Sequence, residues 1–146
     1  MTGERADIPT LACACASLRR AARAVTQAYD AELKDTGMNP TQFTLLQFLF
    51  TVGELSQSQL GELLAIDVTT LTRTLEPLRR SGWIRAKAGD DRRIRLWSLT
   101  AAGERQRALV APHWERAQAR LRKRLGSARF QGMLEELAAV ADTARA

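Results

Sequence analysis

The sequence has few of the residues on which metal and acid–base chemistry usually depends. Its 146 residues include one histidine and two cysteines. It has no glycine-rich phosphate loop and no cluster of cysteine, histidine or acidic residues at metal-ligand spacing. A structural zinc site needs four ligands, which Cys13, Cys15 and His113 do not supply. We therefore expect no metal, no other cofactor and no enzymatic activity.

Long hydrophobic runs are also missing. No apolar run approaches the roughly 18–20 residues that cross a bilayer, and the N-terminal stretch lacks the basic-then-apolar order of a secretory signal. These features predict a cytoplasmic protein without a membrane partner, in a compartment where thiols stay reduced. If Cys13 and Cys15 both lie on a helix, a disulfide between them would be strained, because side chains at i and i+2 diverge.

Basic residues, in contrast, are in excess. Lysine and arginine number 22 against 16 acidic residues, which gives a formal net charge of +6. A small basic domain often binds a polyanion, although a solvated arginine-rich surface has the same composition. Because the basic residues are spread along the whole chain, their positions on the folded elements must decide between these interpretations.

The spacing of apolar residues predicts a mainly helical chain. A seam at steps of 4 and 3 runs from Leu11 to Tyr29 and indicates a long amphipathic helix. Asn39-Pro40-Thr41-Gln42 has the pattern of a capped helix start. Two closing helices are expected, one at 101–125 with a kink at Pro112 and one after Gly126. The side chains expected to be buried in the later helices are Phe43, Leu46, Leu49, Phe50, Leu60, Leu63, Leu64, Val68, Leu71, Leu75, Leu78, Phe130, Met133 or Leu134, Leu137, and Val140 or Ala141.

The middle of the chain predicts a helix-turn-helix unit. A short helix from Ser56 to Leu64 is followed by a tight connection and by a helix from about Val68 to Ser81, which Asp67 can cap and Pro77 should weaken near its end. The outward side of this second helix carries Thr69, Thr70, Thr72, Arg73 and Thr74. Such side chains can contact bases and phosphates in a major groove. The alternative is a merely solvated face, for which four threonines are a poor choice because threonine disfavours helices.

A β-hairpin is predicted directly after this unit. Residues 83–88 and 94–99 alternate with period two around Gly89-Asp90-Asp91. A helix-turn-helix followed by a hairpin is the winged-helix arrangement, and arginines at the hairpin tip suit a narrow minor groove. An acid beside an arginine can hold the guanidinium in one orientation, so Asp91 or Asp90 is predicted to position Arg92. The alternative is a charged turn that serves only solubility.

Residues 67–85 and 90–103, read together, resemble the winged-helix signature of the MarR family of bacterial transcriptional regulators, and the likeness extends over essentially the whole chain. It implies one domain, 1–146, that is mainly α with a small β-hairpin wing (α+β). Residues of about 40–100 would form the winged helix-turn-helix lobe, and residues 8–36 and 101–146 the N- and C-terminal dimerisation helices. It also implies a homodimer on a pseudo-palindromic double-stranded DNA operator, usually a repressor released by a small ligand or by oxidation.

Candidate DNA-binding residues follow from the matched positions. The resemblance places Val68, Thr69, Thr70, Thr72 and Arg73 on the recognition helix. It makes Arg92 the minor-groove residue of the wing, with Asp91 and Arg93 beside it in a structural or DNA-contacting role. The start of the preceding helix can bind phosphate, because helix N-termini favour anions, and its candidates are Ser56, Gln57 and Ser58.

The two ends of the chain predict self-association. Their apolar faces exceed what one small winged-helix core can cover, and a two-fold dimer would bury both while presenting two recognition helices. The alternative is a helical bundle within one chain.

Two sensing mechanisms stay open. One is a pocket for an aromatic or anionic ligand between the dimer helices and the lobe. The other is oxidation of Cys15 or Cys13, since Cys15 with Tyr29 resembles the peroxide-sensing branch of the family, although Tyr29 is the only tyrosine. A buried structural cysteine is the simpler alternative, and a winged helix that binds proteins instead of DNA is a remote one.

Overall fold

The computed structural model describes Pro9 and residues 11–145. The outer limits predicted at residues 1, 8 and 146 lie outside this part. The described residues form six helices and a three-stranded sheet, confirming the mainly helical fold with a small β-wing. In chain order the elements are α1 (Ala14–Leu33), α2 (Pro40–Val52), β1 (Leu55–Ser56), α3 (Gln57–Leu64), α4 (Val68–Arg80), β2 (Ile84–Ala88), β3 (Arg95–Leu99), α5 (Ala101–Leu125) and α6 (Ser127–Ala144).

Polar side chains fix the starts of the middle helices. The Asn39 side chain accepts a hydrogen bond from the Gln42 N–H (2.9 Å), and the Gln42 side chain accepts one from the Asn39 N–H (3.0 Å). Such a capping box satisfies two backbone donors at once. Thr100 caps α5 through the Gly103 N–H (3.0 Å). The predicted cap at Asn39 and the predicted span of α5 are therefore confirmed.

The first helix begins later than predicted. Cys13 is the extended residue before α1 and its side chain makes no capping bond. Its N–H instead donates to the Leu11 carbonyl (2.8 Å), so the chain turns there and Leu11, 69% exposed, precedes the helix. Because Cys13 is outside α1, the helical strain argued against a Cys13–Cys15 disulfide does not apply as stated. Both thiols are exposed and free.

The sheet contains one strand that the sequence did not predict. β2 and β3 form the expected hairpin, with Ile84 opposite Leu99 and Ala88 opposite Arg95. The unpredicted strand β1 pairs antiparallel with the other side of β3, with Leu55 opposite Trp97, so the strand order is β1-β3-β2. Two residues are too short to show alternation, which explains why β1 gave no signal in the sequence.

The core lies within the lobe, along α5 and at the end of α1. Its most completely buried large side chains are Phe43, Leu33, Leu45, Leu46, Leu60, Leu71, Leu75, Leu78, Ile84 and Val110. Three predicted core residues are wrong, since Phe50, Leu63 and Val68 are 45%, 46% and 73% exposed. Arg107 covers the Phe50 ring at 3.6 Å from its centroid. Val68 is the first residue of α4, and the first side chain of this helix that is buried in the core is Leu71.

Two prolines, Pro77 and Pro112, lie in the interior of helices. The helix α4 continues past Pro77 to Arg80, and α5 continues past Pro112 to Leu125. The bends predicted at these prolines stay predictions.

Gly103 has a clear packing role near the start of α5, since a Cβ there would lie 1.9 Å from the Trp83 carbonyl oxygen.

The apolar faces of the terminal helices are largely uncovered within one chain. On α6 only Phe130 is buried, whereas Leu134, Leu137 and Val140 are each 42% exposed. On α1 only Leu33 is buried, and Cys15 is exposed. The expected burial of Leu137 and of Val140 or Ala141 is therefore wrong for the chain by itself, whereas in the pair Met133 or Leu134 the first residue is half-buried.

Candidate nucleic-acid interface

The first turns of α4 form an open surface. Val68, Thr69, Thr70, Thr72 and Arg73 are all exposed, as the sequence predicted for an outward face. Thr74, predicted to lie beside them, is half-buried. The core side of the same helix is occupied by Leu71, Leu75 and Leu78. Burial of the leucines fixes the rotation of the helix and keeps the opposite side free for a ligand.

Asp67 fixes the start of this helix. Its carboxylate accepts hydrogen bonds from the Thr70 N–H (2.8 Å) and from the Thr70 hydroxyl (2.9 Å). The backbone hydrogen bond from Thr70, followed by the hydroxyl bond, lowers the pKa of Asp67. The tight connection before it uses Ala65 in the left-handed region, at φ 51°. The predicted cap at Asp67 is therefore confirmed.

The threonines of α4 differ in how free they are. Thr72 donates its hydroxyl to the Val68 carbonyl (2.9 Å), and Thr74 donates to the Thr70 carbonyl (2.9 Å). Thr70 is engaged by Asp67. Within the described part of the chain, the Thr69 hydroxyl and the Arg73 guanidinium make no hydrogen bond or ion pair. These two side chains are therefore the ones most available to an incoming ligand.

The hairpin tip is a tight turn held by its own acid. The Gly89 N–H donates to the Ile94 carbonyl (2.8 Å), and the Ile94 N–H to the Asp91 carbonyl (2.9 Å). The Asp91 carboxylate accepts from the Arg93 N–H (3.0 Å) and from the Arg93 guanidinium through Nε (3.2 Å) and Nη2 (3.0 Å). The hydrogen bonds from the Arg93 side chain and backbone lower the pKa of Asp91.

This geometry corrects the predicted role of the acids. Asp91 orients Arg93, the residue two positions on, and it does not hold Arg92. The side chain of Arg92 is exposed and makes no hydrogen bond or ion pair with the residues that the structure describes. Asp91 therefore shapes the turn and engages one arginine, which leaves the neighbouring arginine free at the tip.

The start of α3 contributes one free residue and two engaged ones. Ser56 is the cap, and its hydroxyl accepts from the Gln59 N–H (3.1 Å). Gln57 contacts both Trp97 and Thr72. Ser58 is exposed, without a side-chain hydrogen bond in the described chain. Of the three phosphate candidates, Ser58 is thus the one whose side chain is unengaged.

Four of the predicted DNA-binding residues line one cleft, and Thr69, Arg73 and Arg92 are not part of its walls. This cleft of about 630 Å³ lies between α3, the start of α4 and β3, and its walls include Gln57, Ser58, Val68 and Arg93. Two further basic residues that the sequence did not single out, Arg95 and Arg145, also line it. Arg95 is exposed at the start of the alternating strand β3, so the alternation of the sequence could have predicted that its side chain faces outward. Arg145 follows α6 and donates to the Glu62 carbonyl (2.8 Å), a contact that only the fold creates.

Two features are absent from the residues that the structure describes. None of the helices there is long and apolar enough to span a membrane. The same residues contain no group of three or more histidine, cysteine or acidic side chains that could hold a metal ion. Open helix-turn-helix residues beside an arginine-bearing wing define a winged-helix transcriptional regulator.

Comparisons with known proteins agree with this class. Residues 36–94 match the model of the MarR family. The crystal structure of the M. tuberculosis transcriptional regulator MosR in complex with DNA is similar at 34% identity and a TM-score of 0.81, covering 91% of this chain and 96% of that one. A probable transcriptional regulator from Pseudomonas aeruginosa is 26% identical, with a TM-score of 0.78, over 88% of this chain and 97% of its own.

A curated relative from Bacillus subtilis, the uncharacterized HTH-type transcriptional regulator YwoH, is 28% identical over 89 residues. The match covers 61% of this chain and less than two thirds, 65%, of YwoH. The chain belongs to the MarR family and has its winged helix-turn-helix architecture.

Proposed function

We propose that this chain acts in the cytoplasm as a homodimeric repressor that binds a pseudo-palindromic DNA operator. The observation that carries the proposal is the open N-terminal half of α4 beside an unengaged arginine at the wing tip. Support also comes from MosR, the relative at 34% identity whose structure was determined in complex with DNA.

In the proposed complex, α4 enters the major groove and the wing follows the adjacent minor groove. Arg73 and Thr69 contact base edges or phosphates, with Val68 offering an apolar contact to a thymine methyl. Arg92 enters the minor groove, where a weakly hydrated guanidinium is favoured. Arg93, held by Asp91, and Ser58, at the start of α3, contact the sugar–phosphate backbone.

The proposed dimer explains the uncovered faces of α1 and α6. Leu134, Leu137 and Val140 form a continuous apolar side that the chain itself leaves 42% exposed at each residue. Exposed apolar patches of this kind mark association surfaces in water-soluble domains. A second copy would bury them on an isologous interface and set two α4 helices about one DNA turn apart, roughly 34 Å.

The direct test is a salt titration of duplex binding by the wild-type chain, with the duplex selected from a random-sequence library. We expect log affinity to fall linearly with log salt, with a slope of about −0.9 per phosphate contact. A chain that captures no duplex would contradict the proposal. It would favour the protein-binding adaptor, which predicts no salt-dependent DNA affinity.

We further propose that a small aromatic or anionic effector relieves DNA binding from a cleft between α1 and α5. This cleft measures about 350 Å³ and combines apolar walls, including Val25 and Leu121, with Arg120 and Arg124. Tyr29 also lines it, and burial raises the pKa of this phenol, so it stays neutral. A screen of aromatic carboxylates by thermal shift tests the site. Hits that bind an Arg124→Ala variant equally well would contradict it.

The alternative signal is oxidation at Cys15, assisted by Cys13. The observation in its favour is that both thiols are exposed, as a redox sensor requires. Peroxide should then release DNA from the wild-type chain but not from a Cys15→Ser variant. Normal release from that variant would exclude Cys15 as the sensor, and a Cys13→Ser variant tests the second thiol in the same way.

A further inference from the structure

Gln57 lies where three elements of the proposed DNA-binding lobe meet. It follows β1 directly and is the first residue of α3. Because β1 pairs with β3, with Leu55 opposite Trp97, the start of α3 is held against the wing strand. The same residue contacts α4 through Thr72. A side chain in this position can relate the wing to the recognition helix.

The hydrogen bonds of Gln57 have only one consistent direction. Trp97 is 3% exposed, and its indole N–H can only donate, so the atom 3.4 Å away is the Gln57 carbonyl oxygen Oε1. The amide nitrogen Nε2 therefore faces Thr72 Oγ1, at 3.3 Å. The chemistry of the indole thus assigns the orientation of the amide.

Thr72 completes the chain of contacts. Its hydroxyl donates to the Val68 carbonyl (2.9 Å), which leaves an oxygen lone pair to accept from Gln57 Nε2. A threonine held on both sides keeps one rotamer, because its branched Cβ has few to choose from. The buried indole of the wing sheet is thereby connected, through one side chain, to the exposed surface of α4.

We propose that Gln57 is a positioning residue that sets the DNA sequence preference of α4, and not a phosphate contact as its place at a helix start suggests. This inference rests on the proposed DNA-binding function. Gln57 does not contact the DNA bases itself. It fixes the side chain of Thr72, and with it the contact that Thr72 offers to a base pair. Its carbonyl oxygen and one amide proton are already engaged within the lobe.

The test compares two properties of Gln57→Met, a variant of similar length without polar atoms. Binding is measured against a duplex that the wild-type chain selects from a random library and against its single base-pair substitutions, across a salt series. We expect discrimination at the base pairs beneath Thr72 to fall roughly two- to fivefold, since both hydrogen bonds are long and one bond contributes little. The salt slope should not change.

A phosphate contact predicts the reverse result. Loss of one contact would weaken all duplexes alike and reduce the magnitude of the slope by about 0.9. That outcome, or unchanged discrimination, would overturn the proposal while leaving the proposed function intact. A wild-type chain without DNA affinity would instead overturn the proposed function, and with it this role.

Thr72→Val provides the second arm, because it breaks the same contact from the other side. The double variant Gln57→Met/Thr72→Val should lose no more discrimination than the more affected single variant, whereas independent roles would add. Thr51→Val is the matched control. It removes a glutamine–threonine hydrogen bond of the same length, 3.3 Å to Gln47, on α2. It should leave both properties unchanged.

A spectroscopic readout tests the contact without DNA. The indole ¹⁵N–¹H resonance of Trp97 should shift in Gln57→Met and stay in place in Thr51→Val. A resonance that does not move in Gln57→Met would show that the amide does not bind the indole, and would overturn the proposal even if DNA preference changed.

Discussion

The winged-helix lobe and the C-terminal helix α6 differ in how far their apolar residues are buried. In the lobe, Leu71, Leu75 and Leu78 of α4 are 2% exposed or less, and Trp97 of β3 is 3% exposed. On α6 the corresponding apolar face is open, with Leu134 and Leu137 at 42%. Both regions show helical apolar periodicity in the sequence, yet the lobe buries its apolar residues within the same chain, whereas most of the apolar face of α6 stays exposed.

The difference assigns the two regions different tasks. A lobe with a complete core can hold the exposed residues of α4 and the wing at fixed positions, which recognition requires. An open apolar face such as that of α6 marks an association surface, and the proposed partner is a second copy of the chain. Separate perturbation of each region should therefore have separable consequences.

The largest effect is expected from Gly103→Ala, which acts on the packing of α5 against the lobe. The added Cβ would lie 1.9 Å from the Trp83 carbonyl oxygen and 2.9 Å from Leu99. Backbone cannot relax as a flexible side chain does, so we expect a loss of about 3 kcal/mol or more in the free energy of unfolding. Urea denaturation followed by circular dichroism measures it. Gly132→Ala is the matched control, since a Cβ there meets nothing within 4 Å, and equal losses in both would contradict the packing role of Gly103.

The next effect concerns the terminal helices. Leu137→Asp places a charge on the open face of α6 and should convert a dimer to a monomer, with weaker operator binding and an intact lobe. Light scattering after size exclusion gives the mass, and the Trp97 indole resonance monitors the lobe. Ala139→Asp adds the same charge to the opposite side of α6. An unchanged mass for Leu137→Asp would show that this face is not the interface.

A smaller effect, confined to DNA binding, is expected from the arginines of the lobe. Arg92→Ala should weaken binding to all duplexes and reduce the salt slope, because its proposed partner is the minor groove. Arg73→Ala should also relax sequence preference, by roughly 1–3 kcal/mol at one base pair. Both are measured by fluorescence anisotropy. The mass of the dimer should not change. Unaltered DNA affinity in both variants would contradict the assignment of Arg92 and Arg73 as DNA contacts.

The smallest effect is a pH dependence at the wing tip. The pKa of Asp91 is lowered in the folded chain, so its contribution to stability is present above the usual pKa of an aspartate and is lost as pH falls through the lowered value. The turn should therefore loosen only in acid, seen as a change in the Arg93 amide resonance. Asp91→Asn should show the loosened resonance at neutral pH, whereas Asp90→Asn should not. A turn insensitive to both acid and Asp91→Asn would contradict the role of this carboxylate.

The sequence predicted much of the fold because its signals are local. The caps at Asn39 and Asp67 and the leucine spacing of α4 depend on residues within one helix turn, and the structure confirms them. The exposed face of α4 followed from the same periodicity. Two details did not follow from spacing alone. The strand β1 was missed because two residues show no alternation, and Asp91 was assigned to Arg92 because the geometry of the turn decides which neighbouring arginine the carboxylate contacts.

What the sequence by itself determined is therefore the order of elements and which side of each helix is apolar. The tertiary structure alone decided which apolar faces are covered, because burial of Leu75 or exposure of Leu137 depends on packing between residues far apart in the chain. It also decided the partners of Gln57. The indole of Trp97 reaches this amide only because β1 pairs with β3, and pairing between distant segments leaves no local pattern in a single sequence.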